Sequence, residues 1–229
     1  MRDLPPNLQG QLSIRRAERA RLIETGLIQQ GISDPAVLAA INQMPREFFV
    51  ETEHKEQAYE NRALPIASGQ TISQPYIVAL MAEALQLQPH FRLLEIGTGS
   101  GYAAAVYALL VEEVFSVERH EDLANQAQSR LDALQIENVS IRCGDGSFGW
   151  PEAAPFDAIS IAAATEDIPK QLLDQLAIGG RLVAPIGAQQ STQSLICLKR
   201  TESGFQQKDL GSVRFVPLIS ETDDHTESD

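Results

Sequence analysis

Cysteine and histidine are scarce in this 229-residue chain, which has two cysteines and four histidines. Cys143 and Cys197 each lie in an apolar, strand-like stretch, so we expect two buried free thiols rather than a disulfide. The histidines and cysteines are scattered and predict no metal site. Free thiols are typical of a reducing compartment, and the first residues lack the apolar stretch of a secretory signal, so we expect a cytoplasmic protein.

Basic residues are also in short supply. The chain has 18 Lys and Arg residues against 31 Asp and Glu residues, which gives a formal net charge of −13 at pH 7. This charge repels polyanions and no basic stripe compensates for it, so we expect no nucleic-acid partner. No apolar run approaches the roughly 18 residues that a membrane span needs, so we expect no membrane partner either.

A glycine-rich turn at residues 97–101 is the most informative feature that is present. Residues 92–96 are mostly apolar and strand-like, residues 97–101 read GTGSG, and a helix-like run begins at Tyr102. Glycines at alternate positions let the backbone turn sharply and let a ligand approach where a Cβ would obstruct it. A strand, a tight glycine turn and a helix predict the first βα unit of a Rossmann-like sheet that binds a nucleotide-like ligand.

Strands and helices alternate beyond this turn. The strand-like segments are residues 92–96, 114–118, 139–143, 156–161 and 181–186, and helix-like segments separate them, the last at residues 169–177. Two further strand-like segments, at residues 193–200 and 205–218, have no helix between them and predict a terminal antiparallel hairpin. We therefore predict an α/β protein with a Rossmann-like, mostly parallel seven-stranded sheet, a terminal antiparallel hairpin and N-terminal helices.

The sequence divides into three parts. Residues 1–45 contain two helix-like segments, which we expect to form a layer packed on the main domain, although they could instead line a substrate cleft. Residues 46–220 form the ligand-binding domain, and its long irregular stretch at residues 46–74 is typical of a functional loop. Residues 221–229 are acidic and predict a disordered tail. We expect the chain to act as a monomer.

Acidic residues at strand ends indicate which nucleotide-like ligand fits. Glu118 ends the second strand, about 20 residues after the glycine turn, where a carboxylate can accept hydrogen bonds from ribose hydroxyls. Asp145 follows the third strand and could bind an adenine amino group or cap a helix. The glycines have GxGxG spacing rather than the GxGxxG spacing that docks a pyrophosphate on a helix.

Glu95 lies just before the turn and suits a cationic ligand better than a diphosphate, although it could equally be a capping or core-edge acid. Together with the terminal hairpin, these features favour S-adenosylmethionine over NAD and the methyltransferase version of the Rossmann-like fold.

A series of motifs carries a resemblance to a known family. Residues 69–79 read GQTISQPYIVA, and the other motifs are LEIGTGSGY at 94–102, SVER at 116–119, GDG at 144–146, GWPE at 149–152, APFDAI at 154–159, GGRLV at 179–183 and VRFVPL at 213–218. In their order and spacing these motifs resemble the protein-L-isoaspartate O-methyltransferases over about residues 45–218. The first motif looks like the signature loop of that family and is the most specific.

The resemblance implies an enzyme that transfers a methyl group from S-adenosylmethionine to the α-carboxylate of L-isoaspartyl residues in damaged proteins, leaving S-adenosylhomocysteine. Ser73 would be the catalytic residue, and Ser73, Gln74 and Val216 would contact the substrate. A carboxylate is already ionised at neutral pH, so such a site needs orientation more than a strong base. The implied cofactor-binding residues are Gln70, Thr71, Ile72, Ser73, Glu95, Gly97, Gly99, Gly101, Glu118, Arg119, Asp145 and Gly146.

Several alternatives stay open. Ser73 could instead be the N-cap of the helix that begins at Pro75. Ala67 stands where the family most often has glycine, and it costs about 1 kcal/mol if this position needs a positive φ. The chain could also methylate a different carboxylate or protein acceptor, or bind the cofactor without turnover.

Overall fold

The protein, described by a computed structural model over residues 15–188 and 191–219, is built on a seven-stranded sheet with the strand order β5-β4-β3-β6-β7-β8-β9. The strands are β1 (Leu64–Pro65), β2 (Thr71–Ile72), β3 (Arg92–Ile96), β4 (Glu113–Glu118), β5 (Val139–Cys143), β6 (Phe156–Ile161), β7 (Leu176–Ile186), β8 (Gln193–Thr201) and β9 (Gly204–Val213). The five neighbouring strands β5, β4, β3, β6 and β7 are parallel, whereas the β7–β8 and β8–β9 pairs are antiparallel. The predicted fold class is therefore confirmed.

Helices cover the sheet and connect its strands. They are α1 (Arg16–Arg21), α2 (Pro35–Gln43), α3 (Pro75–Leu85), α4 (Tyr102–Ala108), α5 (Glu121–Ala133) and α6 (Lys170–Gln175). A π-helical turn, Leu22–Leu27, continues α1, and short 3-10 turns occupy much of the segment between α2 and β1. Within the described ranges, no helix combines the length and the apolar character needed to cross a membrane.

The N-terminal helices share one hydrophobic core with the sheet. Leu27 and Ile41 are buried in the same cluster as Leu93 of β3. Helix α2 begins as its sequence suggests, because the Asp34 carboxylate accepts a hydrogen bond from the Ala36 N–H at 2.8 Å. These helical residues therefore pack against the sheet, while the division of the chain into three parts stays a prediction. Residues 1–14 and the predicted tail, 221–229, lie outside the described residues.

Strand β7 begins earlier than expected. The sequence predicted a helix to residue 177 and a strand from 181, but β7 starts at Leu176 and contains both glycines of the GGRLV motif. Its pairing with β6 jumps from Phe156–Leu176 to Ala158–Arg181, so the intervening residues form a bulge. A Cβ at Gly180 would lie 2.8 Å from the Asp157 carbonyl oxygen. Position 180 therefore requires glycine because another backbone segment approaches it closely within a strand, and not because a helix ends there.

The last strand is shorter than expected. The sequence predicted a strand over residues 205–218, but β9 ends at Val213. The following residues leave the sheet edge and bond to the loop after β6: the Ala164 N–H donates to the Val216 carbonyl and the Leu218 N–H donates to the Ala164 carbonyl, both at 2.7 Å. This departure carries residues 214–219 across the carboxyl ends of the parallel strands.

The two cysteines differ in their burial. Both are free thiols, as expected, and Cys197 is buried within β8. Cys143, however, is exposed, and the prediction that it is buried was wrong. Cys143 is the last residue of β5, and β5 is the edge strand at one side of the sheet. An edge position leaves such a residue open to solvent even when its sequence context is apolar.

Glu95 is a carboxyl group buried within the sheet. Its side chain is 0% exposed, and Ser116, its neighbour in register on β4, donates a hydrogen bond to Glu95 Oε2 at 2.5 Å. The other oxygen, Oε1, has no partner among the described residues. Burial raises the pKa of Glu95 to about 8, an effect that the Ser116 hydrogen bond opposes and the Glu118 charge reinforces.

We predict that this carboxyl makes the stability of the ligand-free protein fall as pH rises. Between its ordinary pKa of 4.5 and its folded value of about 8, Glu95 holds a proton in the folded chain only. Its stabilising contribution is therefore complete below the lower value and is lost toward the upper one, at about 1.4 kcal/mol per pH unit. Urea unfolding from about pH 5 to about pH 8 should show this slope in the wild type and lose it in Glu95→Gln.

The matched control is Glu137→Gln, which removes a carboxyl from the exposed surface. This variant should keep the wild-type dependence of the unfolding free energy on pH. If the wild type and Glu95→Gln give parallel curves, Glu95 is not protonated in the folded state and its assigned burial effect is wrong.

Candidate active site

A cavity opens at the carboxyl ends of the parallel strands. Its wall includes Ile96 at the end of β3, Glu118 at the end of β4 and Ala162 directly after β6. Strand β3 has β4 on one side and β6 on the other. The strands that follow β3 in the chain are thus added first on one side of it, as β4 and β5, and then on the other side, beginning with β6, so the strand order reverses at β3. Ligands of open α/β sheets bind in the crevice that this reversal creates.

The glycine turn forms one wall of this cavity. Gly97 and Gly99 have φ values of 91° and 53°, in the region that favours glycine. A Cβ on Gly97 would lie 3.5 Å from Ala162 Cβ, and one on Gly99 would lie 3.6 Å from Ile66 Cδ1. The turn therefore passes between two apolar side chains and presents bare backbone to the cavity.

Glu118 is held in a defined orientation beside the turn. Its Oε2 accepts a hydrogen bond from the Gly99 N–H at 2.7 Å, and its Oε1 accepts one from the His120 N–H at 3.0 Å. The residue is 5% exposed and lines the cavity. A carboxylate can accept about four hydrogen bonds, so these two contacts leave capacity for hydroxyl groups of a ligand.

A short hairpin covers the cavity from the opposite side. Strands β1 and β2 pair with Leu64 opposite Ile72, and Gln70, Thr71 and Ile72 all line the cavity. The loop between the strands is fastened to α5, because Ser68 Oγ donates to Asp122 Oδ2 at 2.7 Å. These two-residue strands could not be predicted from the sequence, since residues 46–74 have no strand periodicity.

Ala67 costs nothing in this loop. The residues with positive φ are Ser68, at 55°, and Gly69, at 67°, whereas Ala67 does not have a positive φ. The strain that would follow if Ala67 replaced a left-handed glycine therefore does not arise.

Ser73 lines both this cavity and a second one beside it. The second cavity is bordered by Gln74 and by Arg214, and the two cavities share Thr71, Ser73, Ala162 and Val216. The N-cap of α3 is Gln74, without a side-chain capping bond, so the alternative role of Ser73 as a helix cap was wrong. Its hydroxyl makes no hydrogen bond to any residue in the described ranges.

The segment after β9 closes both cavities. Val216 lines each of them and is fixed by the bond from the Ala164 N–H described above. Arg119 lines the first cavity, and its guanidinium donates to the Ile219 carbonyl at 3.1 Å. The lining residues of the two cavities begin at Ala63, so the alternative that the N-terminal helices line the cleft finds no support in their described part.

Three predicted cofactor residues lie behind the cavity wall. Glu95 is buried in the sheet, and Gly101 packs against α5, where its Cβ would lie 3.1 Å from Ala127 Cβ. The Asp145 carboxylate accepts a hydrogen bond from the Ser147 N–H at 2.8 Å and so caps the 3-10 turn that begins at Gly146. Gly146 itself lines the cavity. Glu95, Gly101 and Asp145 are not among the residues that line the cavity.

Sequence reasoning missed several lining residues. They include Thr98, Ser100, His120, Ala163, Pro217 and Leu218. All except Ala163 are within or beside motifs that the sequence contained, so proximity to a predicted contact was the available signal. The site as a whole offers backbone N–H groups, hydroxyls and a fixed carboxylate, which can orient a ligand and an acceptor without adding a strong base at Ser73.

Comparison with known proteins agrees with this geometry. The family model described as protein-L-isoaspartate(D-aspartate) O-methyltransferase matches residues 17–223. The protein-L-isoaspartate O-methyltransferase 2 of Pelobacter propionicus is 53% identical over 210 residues, which cover 90% of this chain and 93% of that protein. The corresponding enzyme 2 of Marinobacter nauticus is 52% identical over 91% of this chain and 94% of its own length.

Solved structures show the same relationship. A protein-L-isoaspartate O-methyltransferase superposes with a TM-score of 0.80 at 31% identity, over 88% of this chain and 66% of that chain. A Plasmodium falciparum protein assigned to the same enzyme class, in complex with S-adenosyl-L-homocysteine, gives a TM-score of 0.76 at 27% identity over 90% of this chain and 98% of that one. With its fold, its motifs and these relatives in agreement, the chain belongs to the protein-L-isoaspartate(D-aspartate) O-methyltransferase family.

Proposed function

We propose that the two cavities divide the reaction between them: the first holds S-adenosylmethionine, the second holds the acceptor, and Ser73 orients the acceptor where they meet. The reaction is methyl transfer from S-adenosylmethionine to the α-carboxylate of L-isoaspartyl residues in damaged proteins, which is the activity of the family. The observation that carries the division of labour is that Ser73 lines both cavities.

The first cavity fits the cofactor by its chemistry. When bound, S-adenosylmethionine supplies a methyl group on a positively charged sulfur. The Glu118 carboxylate would accept hydrogen bonds from the ribose hydroxyls, and the bare backbone at Gly97 and Gly99 would admit the methionine part. Gly146 would border the adenine, and the hairpin residues 70–72 would cover the donor.

The residues behind the wall would act indirectly. Asp145 would support the adenine side through the 3-10 turn that it caps. Glu95 would support the glycine turn through Ser116. The Ser116 hydroxyl donates to Glu95 and lies 2.6 Å from the Thr98 hydroxyl, and Thr98 is a turn residue that lines the cavity. Arg119 would hold the C-terminal segment against the cofactor.

The second cavity suits an anionic acceptor. Among the described residues that line it, Arg214 has the one charged side chain, and the charge is positive in a protein of net charge −13. An ionised carboxylate is already a nucleophile at neutral pH. The Ser73 hydroxyl can donate a hydrogen bond to one carboxylate oxygen and leave the other free to accept the methyl group. Gln74 and Val216 would contact the peptide on either side.

We also infer a cytoplasmic monomer that does not act on nucleic acid. The two free thiols support a reducing compartment, and the net charge of −13 opposes association with a polyanion.

We predict methyl transfer to isoaspartyl peptides but not to their normal counterparts. The test is incubation with labelled S-adenosylmethionine and two peptides that differ only in aspartate or isoaspartate at one position. Base-labile label should appear on the isoaspartyl peptide alone. Equal labelling of both peptides would mean that the acceptor is a different carboxylate. Cofactor binding without any label would mean a module without turnover.

We predict that Ser73→Ala and Glu118→Gln affect different steps. Ser73→Ala removes the donor that orients the acceptor, so kcat should fall about 100-fold while the dissociation constant for S-adenosylhomocysteine changes less than about threefold. Glu118→Gln removes a charged acceptor from the ribose side, so the dissociation constant should rise about 10- to 100-fold. Calorimetric titration and single-turnover kinetics separate the two quantities.

Each variant is the control for the other, and Ser129→Ala controls for loss of a serine, because Ser129 is exposed on α5. Unchanged turnover in Ser73→Ala would remove its assigned role. Unchanged cofactor affinity in Glu118→Gln would place the ribose elsewhere.

A further inference from the structure

Arg46 is a fully buried cation that reaches the backbone of Ser73. It is 0% exposed and lies in the 3-10 turn Arg46–Phe48, far from the glycine turn in sequence. Its Nη1 donates to the Ala58 carbonyl at 2.6 Å, and its Nη2 donates to the Arg62 carbonyl at 3.1 Å and to the Ser73 carbonyl at 3.0 Å. One guanidinium thus joins the segment before the covering hairpin to the residue between the two cavities.

The surroundings of this guanidinium differ from those of an ordinary buried ion pair. Within the described part of the chain, its hydrogen-bond acceptors are all carbonyl oxygens, and its Nε has no partner. Its Cζ lies 5.7 Å from the centre of the Tyr102 ring, which itself lines the first cavity. Burial lowers the pKa of Arg46 to about 10, so it stays charged at neutral pH. Burying a cation without a carboxylate is costly, which calls for a compensating role.

We propose that Arg46 is a positioning residue for Ser73, and this rests on the proposed role of Ser73. The Ser73 hydroxyl has no hydrogen-bond partner among the described residues, so its own side chain does nothing to hold it in place. The bond to the Ser73 carbonyl fixes the main chain of that residue instead. With the main chain fixed, the hydroxyl is held at the junction of the cavities before the acceptor arrives.

The geometry requires a guanidinium. Two different nitrogens of the planar Arg46 guanidinium donate hydrogen bonds to three carbonyl oxygens. A lysine ammonium, in contrast, has only one nitrogen, at the end of a flexible stem. Arg46→Lys therefore keeps the charge but cannot keep all three contacts.

We predict that Arg46→Lys lowers kcat for the isoaspartyl peptide at least about tenfold, because a small displacement of an orienting group is costly in rate. The dissociation constant for S-adenosylhomocysteine should change less than about threefold, since Arg46 does not line the first cavity. In a Ser73→Ala background the same change should cost less than about twofold further, because the group that Arg46 orients is already absent.

The matched control is Arg19→Lys. Arg19 is also buried, at 2% exposure, and donates to the Tyr59 hydroxyl at 3.1 Å, but it contacts neither cavity. Both variants should lose stability, and at a temperature well below either unfolding transition only Arg46→Lys should lose kcat. Equal kcat values in the two variants, or an undiminished effect of Arg46→Lys without the Ser73 hydroxyl, would overturn the proposal.

A measurement on the wild type covers the case in which Arg46→Lys does not fold. Nuclear magnetic resonance of the arginine side chains should show Arg46 guanidinium protons that exchange with solvent at least about 100-fold more slowly than those of Arg62, whose side chain is 54% exposed. Exchange as fast as that of Arg62 would overturn the proposal. Failure of the proposed function can be told apart from failure of this proposal. If the wild type does not turn over the isoaspartyl peptide, the proposed acceptor is rejected, and the exchange rate of the Arg46 guanidinium protons still tests the Arg46 contact.

Discussion

The hydrogen bond from the Gly99 N–H to the Glu118 carboxylate is the contact on which the site depends. It joins the glycine turn after β3 to the end of β4 across 2.7 Å, at the place where the sheet reverses its order. The bond ties together two residues that both line the cavity. The covering hairpin and the C-terminal segment then need only to close a crevice that the parallel strands already provide.

The parts of the fold that the sequence predicted best are those with a purely local cause. Strands β3, β5 and β6 have the bounds expected from their apolar runs, because each is a short run ended by a turn residue or by the site loop. Strands β7 and β9 differ because distant backbone decides them. The bulge in β7 depends on the approach of Gly180 to the Asp157 carbonyl, and the end of β9 depends on bonds to Ala164.

The site residues divide in the same way. Glu118 and the turn glycines could be located from spacing alone, because a strand end and a glycine turn have one possible place in this fold. For Glu95 the sequence left a ligand contact and a capping or core-edge role equally open, because it does not reveal that Ser116 donates a hydrogen bond to Glu95 inside the sheet. The assignment of Ser73 came from resemblance, and its place between two cavities appears only in three dimensions. The burial of Arg46 could not be predicted from the sequence, since arginine is rarely fully buried.

A crystal structure of the protein with S-adenosylhomocysteine and an isoaspartyl peptide tests the central claim most directly. The account predicts the nucleoside in the first cavity with its ribose on Glu118. It predicts the peptide in the second cavity, with its α-carboxylate within hydrogen-bond distance of Ser73 Oγ. A peptide carboxylate bound away from Ser73, or a cofactor bound outside the crevice between β3, β4 and β6, would contradict the account.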